Sequence, residues 1–311
     1  MKRRLFLYTL IGAMPLWKWF SAIASEVKNA PKNPPQFTDI TAFGDERPFR
    51  CLVIGDWGSG SQLQKTVALG MNGFAEKNSI DCILSTGDNI YGSGVESVSD
   101  KQWKTKFENI YTGEHLQKPW YPILGNHDYR GNVQAQIDYG KVNPRWKLEH
   151  NFYKLSIAAG KGSLEIFALD SNLLVNGNAK DMLAWLEKEL SKSTANWKIV
   201  MSHHMLRSYG VYGDQKFMLN ALKPMCDKYG VDICMCGHDH DIQLIKHPND
   251  RFYQLVCGAG GGSRDTSWGE HSLFAATNGG FAALSITSRL LKIQILDKLG
   301  GLIFSHTIAK S

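Results

Sequence analysis

The sequence predicts an α/β fold, a four-layer α-β-β-α sandwich in which two mixed sheets face each other and helices cover their outer sides. Three observations favour it. Strand-like and helical runs alternate through most of the chain, several strand-like runs are apolar throughout, and the last part is mainly strands. The chain has 311 residues, of which 43% are hydrophobic, and this is enough to bury the core of such a fold.

The first 24 residues are typical of an export signal. Basic residues occupy positions 2–4, an apolar run covers residues 5–17, and small residues at 22–24 form a cleavage site. The Arg3-Arg4 pair also resembles the twin-arginine export signal, which carries folded, metal-loaded proteins. Because the apolar run is shorter than the roughly 20 residues that span a bilayer, a permanent membrane anchor is the less favoured alternative. We therefore expect a periplasmic or secreted protein.

The export signal is followed by a polar, proline-containing stretch, which predicts an extended linker over residues 25–47. The folded domain is expected to cover residues 48–311. Its first half is predicted to contain strands at residues 49–54, 82–85 and 120–124, with helices at 62–77 and 100–110. In the second helix Trp103, Phe107 and Ile110 recur at the spacing of one buried stripe.

The second half of the domain continues the alternation before it becomes strand-rich. Helices are predicted at residues 181–192 and 216–229. Strands are predicted at 152–157, 164–169, 197–201, 233–236, 252–256, 281–286, 291–295 and 302–306. Neither an internal repeat nor a low-complexity segment is present.

The charge of the chain gives no reason to expect a nucleic-acid partner. The formal net charge is +6, but four basic residues and no acidic ones lie in the first 24 residues. Without that segment, 31 basic residues stand against 29 acidic ones.

The six cysteines lie mostly in apolar strand-like runs without a Cys-x-x-Cys pair, so buried free thiols are expected.

Five short motifs are the most informative feature of the chain. Each combines a glycine, or a short hydroxyl residue in its place, with carboxylate, amide or imidazole side chains that bind metals. In order they are Gly55-Asp56-Trp57-Gly58, Gly87-Asp88-Asn89-Ile90-Tyr91, Gly125-Asn126-His127-Asp128, Ser202-His203-His204 and Gly237-His238-Asp239-His240. All five fall at or just beyond the carboxyl ends of predicted strands, where α/β sheets bind ligands.

The spacing within these motifs favours a two-metal hydrolytic centre. Asp88 follows the apolar run 82–84, where a buried carboxylate without a cation would be costly. His238 and His240 are two residues apart, so in an extended chain both imidazoles face one side, with their backbones about 6.6 Å apart. Two metals separated by about 3.5–4 Å would each take one of them. Taken alone, Gly-Asp-x-Gly is more typical of a surface turn, and the argument depends on the whole series.

From about residue 49 to the C-terminus the sequence resembles the metallophosphoesterases and, among them, the purple acid phosphatases of the small, tartrate-resistant type. Most metallophosphoesterases begin with Asp-x-His, whereas this chain has Gly58 at the histidine position and Tyr91 three residues after Asp88. That paired exchange marks the purple subgroup. The third motif also continues as in that family, with Gly131-Asn132-Val133 and Arg145-Trp146.

The resemblance implies an acid phosphatase that hydrolyses phosphate monoesters, with a metal-bound hydroxide as the nucleophile. It implies a centre of Fe(III) and a second divalent ion, for which Fe, Zn and Mn all fit the donor types. The implied ligands of Fe(III) are Asp56, Asp88, Tyr91 and His240. Those of the second metal are Asp88, which bridges, and Asn126, His203 and His238. The run Val200-Met201-Ser202-His203 matches the family's spacing from valine to histidine, so the resemblance implies His203 rather than His204 as the ligand.

Two further residues are expected to contact the substrate or to transfer a proton. His127 is expected to hydrogen-bond a phosphoryl oxygen or to help protonate the leaving group, with support of the ligands as its alternative role. Nine residues after the ligand His203 the family usually has a histidine that assists the leaving alcohol, and here that position is Tyr212. Tyrosine donates a proton less readily under acidic conditions, so leaving-group catalysis is the open part of the prediction.

The expected partners are small-molecule phosphate esters, with no nucleic acid and no stable membrane anchor, while the oligomeric state is open. Two alternatives stand beside the phosphomonoesterase. One is a phosphodiesterase or nucleotidase with the same metals, because substrate choice depends on loops such as residues 93–99 and 258–271. The other is a non-catalytic metal- or phosphate-binding module, which the intact set of seven ligands disfavours.

Overall fold

The computed structural model describes residues 27–30, 43 and 45–310. The predicted export signal and most of the predicted linker lie outside the described residues. Among the residues described, no helix is long and apolar enough to cross a membrane.

Thirteen strands of the described chain form two mixed sheets. The first sheet has the order β13-β12-β11-β1-β2-β3, with β1 (Phe49–Ile54), β2 (Cys82–Ser85), β3 (Trp120–Pro122), β11 (Gly280–Ile286), β12 (Leu290–Asp297) and β13 (Leu302–Ala309). The second has the order β10-β8-β9-β7-β6-β5-β4, with β4 (Tyr153–Ala159), β5 (Gly162–Ala168), β6 (Trp197–Met201), β7 (Ile233–Cys236), β8 (Ile242–Ile245), β9 (Tyr253–Cys257) and β10 (Ser272–Ala276).

Helices connect these strands. They are α1 (Gln62–Asn78), α2 (Lys101–Trp103), α3 (Val133–Asp138), α4 (Asn172–Val175), α5 (Lys180–Lys192) and α6 (Lys216–Tyr229). α2 continues into a π-helical segment, Lys104–Glu108, where a single α-helix over 100–110 was predicted. Short 3₁₀ turns occur at Glu114–Leu116, Asp128–Arg130 and Tyr139–Lys141. α1 begins where the Ser61 hydroxyl accepts a hydrogen bond from the Gln64 N–H, as an N-cap does.

The largest core lies between the two sheets, which confirms the predicted sandwich. In β1, Cys51 and Val53 point into this core, while Leu52 and Ile54 point to the opposite face, as the two-residue period of a strand requires. That opposite face packs on α1 and an aromatic cluster, whereas α5 and α6 cover the outer face of the second sheet. All six cysteines are buried and free, as expected.

The parallel strands of both sheets direct their carboxyl ends to one edge of the sandwich. β1, β2 and β3 are parallel in the first sheet, and β5, β6, β7 and β9 are parallel in the second. The loops that carry the five motifs follow β1, β2, β3, β6 and β7 at this edge. Loops distant in sequence therefore meet over the seam between the two sheets.

Candidate metal centre

The structure brings the seven predicted metal ligands together at this edge, in two overlapping clusters. In the first, the Tyr91 hydroxyl lies 2.9 Å from Asp56 Oδ1, 3.0 Å from Asp88 Oδ2 and 3.0 Å from His240 Nε2. His240 Nε2 also lies 3.5 Å from Asp56 Oδ1. These are the four residues that the resemblance assigns to Fe(III), and their donor atoms all face one point.

The second cluster contains the donors assigned to the divalent metal. His203 Nε2 lies 3.1 Å from Asn126 Oδ1, 3.1 Å from His238 Nδ1 and 3.6 Å from Asp88 Oδ1. Asp88 thus presents Oδ2 to the first cluster and Oδ1 to the second, the arrangement that a bridging carboxylate needs. The assignment of individual ligands stays a prediction, and this geometry is consistent with it.

The backbone of three predicted ligands has positive φ. These angles are 55° for Asp56, 49° for Asp88 and 69° for His238, in the left-handed region that non-glycine residues seldom adopt. Such strain costs about 1–3 kcal/mol per residue and persists where the surrounding structure holds it, most often at functional sites. The three side chains are therefore directed to the centre at a cost in folding energy.

Two of the motif glycines are required because carboxylates approach their backbone closely. A Cβ atom on Gly125 would lie 2.2 Å from Asp88 Oδ1, and one on Gly237 would lie 2.2 Å from Asp56 Oδ2. Any side chain at either position would displace a predicted ligand. These two motifs therefore need glycine for close packing against the centre.

A cluster of buried aromatic rings packs against the loop that follows β1. Trp57, next to Asp56, packs its ring 5.4 Å from both Tyr111 and Trp120, measured between ring centroids. Its Nε1–H donates to Ser85 Oγ at 2.8 Å, and the Ser85 hydroxyl donates to Asn89 Oδ1 at 2.6 Å. The first two motifs are therefore held in a fixed relative position.

Burial sets the electrostatics of the clustered donors. It raises the pKa of Asp56 well above its ordinary value, with the nearby Asp88 charge acting in the same direction. Burial, followed by the charges of both carboxylates, raises the pKa of Tyr91 far above 10. Burial also lowers the pKa of His238 to about 2 and that of His240 to about 4. These shifts disfavour charge on Asp56, Tyr91 and the two imidazoles, and a bound cation would reverse the balance for the two acids.

The residues fit a metal centre. Asp56, Asp88 and His203 are buried and place one donor atom each within 4.8 Å of one another. Two buried carboxylates, a phenol and three imidazoles are the hard oxygen and borderline nitrogen donors that Fe(III) and divalent Fe, Zn or Mn accept. Buried carboxylates of this kind need a cation or a proton.

His203 and His204 have different surroundings. His203 Nδ1 donates to the Thr86 carbonyl oxygen at 2.9 Å, which leaves the lone pair of Nε2 directed at the centre. His204 Nδ1 instead lies 2.8 Å from the Ser171 hydroxyl, and burial lowers the pKa of its imidazole to about 4. The structure therefore places His203 among the predicted ligands and gives His204 a hydrogen-bonding role beside them.

His127 lies directly over the first cluster. Its backbone N–H donates to Asp88 Oδ1 at 2.8 Å, and its ring centroid is 4.4 Å from that of Tyr91. Nδ1 lies 2.7 Å from the Gly92 carbonyl oxygen and 3.1 Å from Arg130 Nη1, so it faces away from the centre. Nε2 is then the nitrogen directed at the centre, 4.0 Å from Asp88 Oδ2.

Tyr212 lies at the mouth of the site on the side of the second cluster. Its ring stacks on the His238 imidazole with a centroid separation of 4.3 Å and an interplanar angle of 20°. The residue is 43% exposed, so part of the phenol remains accessible to solvent. Arg264 Nη1 donates to the Tyr212 hydroxyl at 2.9 Å.

Two residues near the centre were not predicted to have a role of their own. The Asp128 carboxylate is buried and accepts hydrogen bonds from the Gly125 N–H at 2.9 Å and from the Asn89 N–H at 3.1 Å, which ties the second motif to the third. Arg264 belongs to the predicted substrate loop 258–271, and its glycine-rich surroundings were the only sequence signal that pointed to it.

Comparisons with known proteins assign the chain to a family. The calcineurin-like phosphoesterase family matches residues 49–241. The chain is 34% identical over 276 residues to purple acid phosphatase 4 of Arabidopsis thaliana, covering 80% of each chain. It is 32% identical to tartrate-resistant acid phosphatase type 5 of Oryctolagus cuniculus, covering 86% of this chain and 93% of that relative.

A solved structure supports the fold. GAP50, the anchor in the inner membrane complex of Plasmodium, superposes with a TM-score of 0.79 at 22% identity, over 86% of this chain and 90% of that one. Taken with the two acid phosphatases, the family match and the clustered donors show that this chain belongs to the purple acid phosphatases, within the calcineurin-like phosphoesterases, and is a metallophosphoesterase.

Proposed function

We propose that this protein is an exported acid phosphatase that hydrolyses phosphate monoesters at a binuclear centre of Fe(III) and a second divalent metal. One observation carries the proposal. Asp88 presents its two oxygens to two separate donor clusters, and the four-member cluster that includes Tyr91 would suit a hard trivalent cation. Export is supported by the basic and apolar runs of residues 1–24.

The metals would be held by the seven predicted ligands. Fe(III) would take Asp56, Asp88, Tyr91 and His240, and the divalent metal would take Asp88, Asn126, His203 and His238. When bound, the two cations would neutralise phosphoryl oxygens and activate water for in-line attack on phosphorus. Four of these donors are held in place and would help to fix the positions of both ions. Asp56, Asp88 and His238 are held by a strained backbone, and His203 is held by a second hydrogen bond.

The remaining residues of the site would orient the substrate and manage protons. His127 holds Nδ1 beside the Gly92 carbonyl oxygen and directs Nε2 to the centre, where an Nε2–H would be available to a phosphoryl oxygen or to the leaving group. Tyr212 offers its hydroxyl beside the divalent-metal ligand His238, in the place where the family usually has a histidine. The Arg264 hydrogen bond fixes the direction of that hydroxyl.

Hydrolysis of phenyl phosphate and diphenyl phosphate by the metal-loaded protein tests the proposed substrate class. The monoester carries up to two negative charges on its phosphoryl group and the bis-ester only one, so the paired cations bind the monoester more strongly. We expect kcat/KM for the monoester to exceed that for the bis-ester by at least about tenfold at about pH 6, near the second pKa of the phosphate group.

Two outcomes would overturn the proposal in different ways. Faster hydrolysis of the bis-ester would make the protein a phosphodiesterase. Failure to hydrolyse either ester, in a preparation with both metals bound, would indicate a non-catalytic binding module. The Asp88→Ala variant, prepared identically, is the control for contaminating phosphatase.

A further inference from the structure

Arg264 lies at the rim of the metal centre, in the loop between β9 and β10. Its backbone N–H donates to the carbonyl oxygen of the predicted ligand His240 at 2.8 Å. A Cβ atom at Gly262, two residues earlier, would lie 3.0 Å from His240 Nδ1. The loop is therefore packed directly on the motif that supplies two of the predicted ligands.

The guanidinium group is held in place by an aromatic side chain. Nη1 donates to the Tyr212 hydroxyl at 2.9 Å, and Cζ lies 5.3 Å from the centroid of the Tyr212 ring. That ring in turn stacks on His238. Arg264 thus contacts the exposed, hydroxyl-bearing end of the Tyr212 ring, which covers the predicted ligand His238. The guanidinium group therefore lies beside the ligand cluster and outside it.

Within the described part of the chain no carboxylate forms an ion pair with Arg264, and the Asp56 and Asp239 carboxylates act on its charge only at longer range. Arg207, by contrast, pairs with Asp214 at 2.7 Å and with Asp250 at 2.8 Å. Arg264 is half-buried, and Nη1 is the only guanidinium nitrogen with a hydrogen bond to a described residue. A fixed guanidinium with unused donors at the mouth of a site for anionic substrates is suited to bind a further anion.

We propose that Arg264 is a specificity residue that binds a second anionic group, carboxylate or phosphate, on the leaving group of the substrate. This inference rests on the proposed phosphatase function. The scissile phosphoryl group would lie between the two donor clusters and under His127. Arg264 lies beyond Tyr212, so it would face the leaving group where that group extends out of the site. The enzyme therefore prefers monoesters whose leaving group is itself charged.

The test compares phenyl phosphate with the 2-, 3- and 4-carboxyphenyl phosphates, which add one negative charge at three positions. For each isomer the ratio of its kcat/KM to that of phenyl phosphate is measured in the wild type and in the Arg264→Gln variant. Dividing one ratio by the other cancels the intrinsic reactivity of the leaving group. For the best isomer we expect the wild-type ratio to exceed that of the variant by about tenfold, the effect of one charge-assisted hydrogen bond.

Three further variants test whether the preference depends on the charge of Arg264, on the Tyr212 hydroxyl or on the loss of any surface arginine. Arg264→Lys keeps the charge and should retain most of the preference, and Tyr212→Phe keeps the stacked ring but removes the hydroxyl, so the preference should fall in part. Arg289→Gln is the matched control, since Arg289 lies beyond Ile286, and Ile286 pairs with Phe49 at the end of β1 opposite the centre. Its ratios should equal those of the wild type.

The outcomes separate this inference from the function on which it rests. Unchanged ratios for all three isomers in Arg264→Gln, with hydrolysis of phenyl phosphate intact, would overturn the role of Arg264 alone. A wild type that hydrolyses none of the four esters would instead overturn the proposed phosphatase function. The preference should also decrease with added salt in the wild type, because the contact is between charges near solvent.

Discussion

Replacing Asp88 with alanine is expected to abolish hydrolysis of phosphate esters and to release both metals. Asp88 is the one residue whose two oxygens reach both donor clusters, with Oδ2 3.0 Å from the Tyr91 hydroxyl and Oδ1 3.6 Å from His203 Nε2. Its Oδ1 also accepts the His127 N–H, so its loss would release the loop that places His127. Several kcal/mol of transition-state charge stabilisation would disappear, a loss of at least about 1,000-fold in kcat/KM.

The measurements for Asp88→Ala are kcat/KM for a phosphate monoester and the number of metal ions bound per chain. Asp138→Ala is a suitable control, because Asp138 is an acidic residue whose 2.6 Å ion pair with Lys141 lies at the surface. Such a pair contributes little to stability, so this variant should keep both metals and full activity. A correctly folded Asp88→Ala protein that retained two metals and turnover would refute the bridging role.

Substitution of His203 is expected to be far more damaging than substitution of its neighbour His204. Both imidazoles are buried and both variants remove the same volume, so the comparison isolates their contacts. His203→Ala removes a donor that faces Asp88, Asn126 and His238, and should lower the content of the divalent metal together with kcat by at least about 100-fold. His204→Ala removes the hydrogen bond to Ser171, at a cost of about 1–3 kcal/mol in folding stability.

Metal content, kcat and thermal unfolding of these two variants distinguish the roles. We expect His204→Ala to keep two metals and to lose less than about tenfold in kcat, while its unfolding temperature falls. If His204→Ala lost the divalent metal and His203→Ala kept it, the two assignments would have to be exchanged.

Much of the fold was predictable because its strands are strongly apolar and end at polar motifs. The predicted strands 49–54 and 82–85 coincide with Phe49–Ile54 and Cys82–Ser85. Two strands were missed. β8, Ile242–Ile245, is only four residues long and follows the fifth motif almost directly, while β10, Ser272–Ala276, carries small residues that give little strand signal. Their identity depends on pairing with each other and with β9, which local sequence does not encode.

The convergence of the five motifs at one edge of the sheets was predictable from a general rule. The residues that contact these motifs from elsewhere in the chain were not predictable. Carboxyl ends of parallel strands share an edge, so donors that follow several such strands must converge. Asp128 acts through hydrogen bonds to Asn89, 39 residues away, and Arg264 reaches Tyr212 across 52 residues. Contacts over such separations arise only when the chain is folded. The export signal lies outside the described residues and remains a prediction.

The visible spectrum of the purified protein, with metal analysis of the same sample, tests the central claim most directly. A phenolate bound to Fe(III) absorbs visible light, and the Tyr91 hydroxyl lies within 3.0 Å of Asp56, Asp88 and His240. We predict a purple protein with one iron and one further metal per chain, whose colour disappears in Tyr91→Phe. An active wild-type protein with two metals bound and no visible band under oxidising conditions would contradict the account.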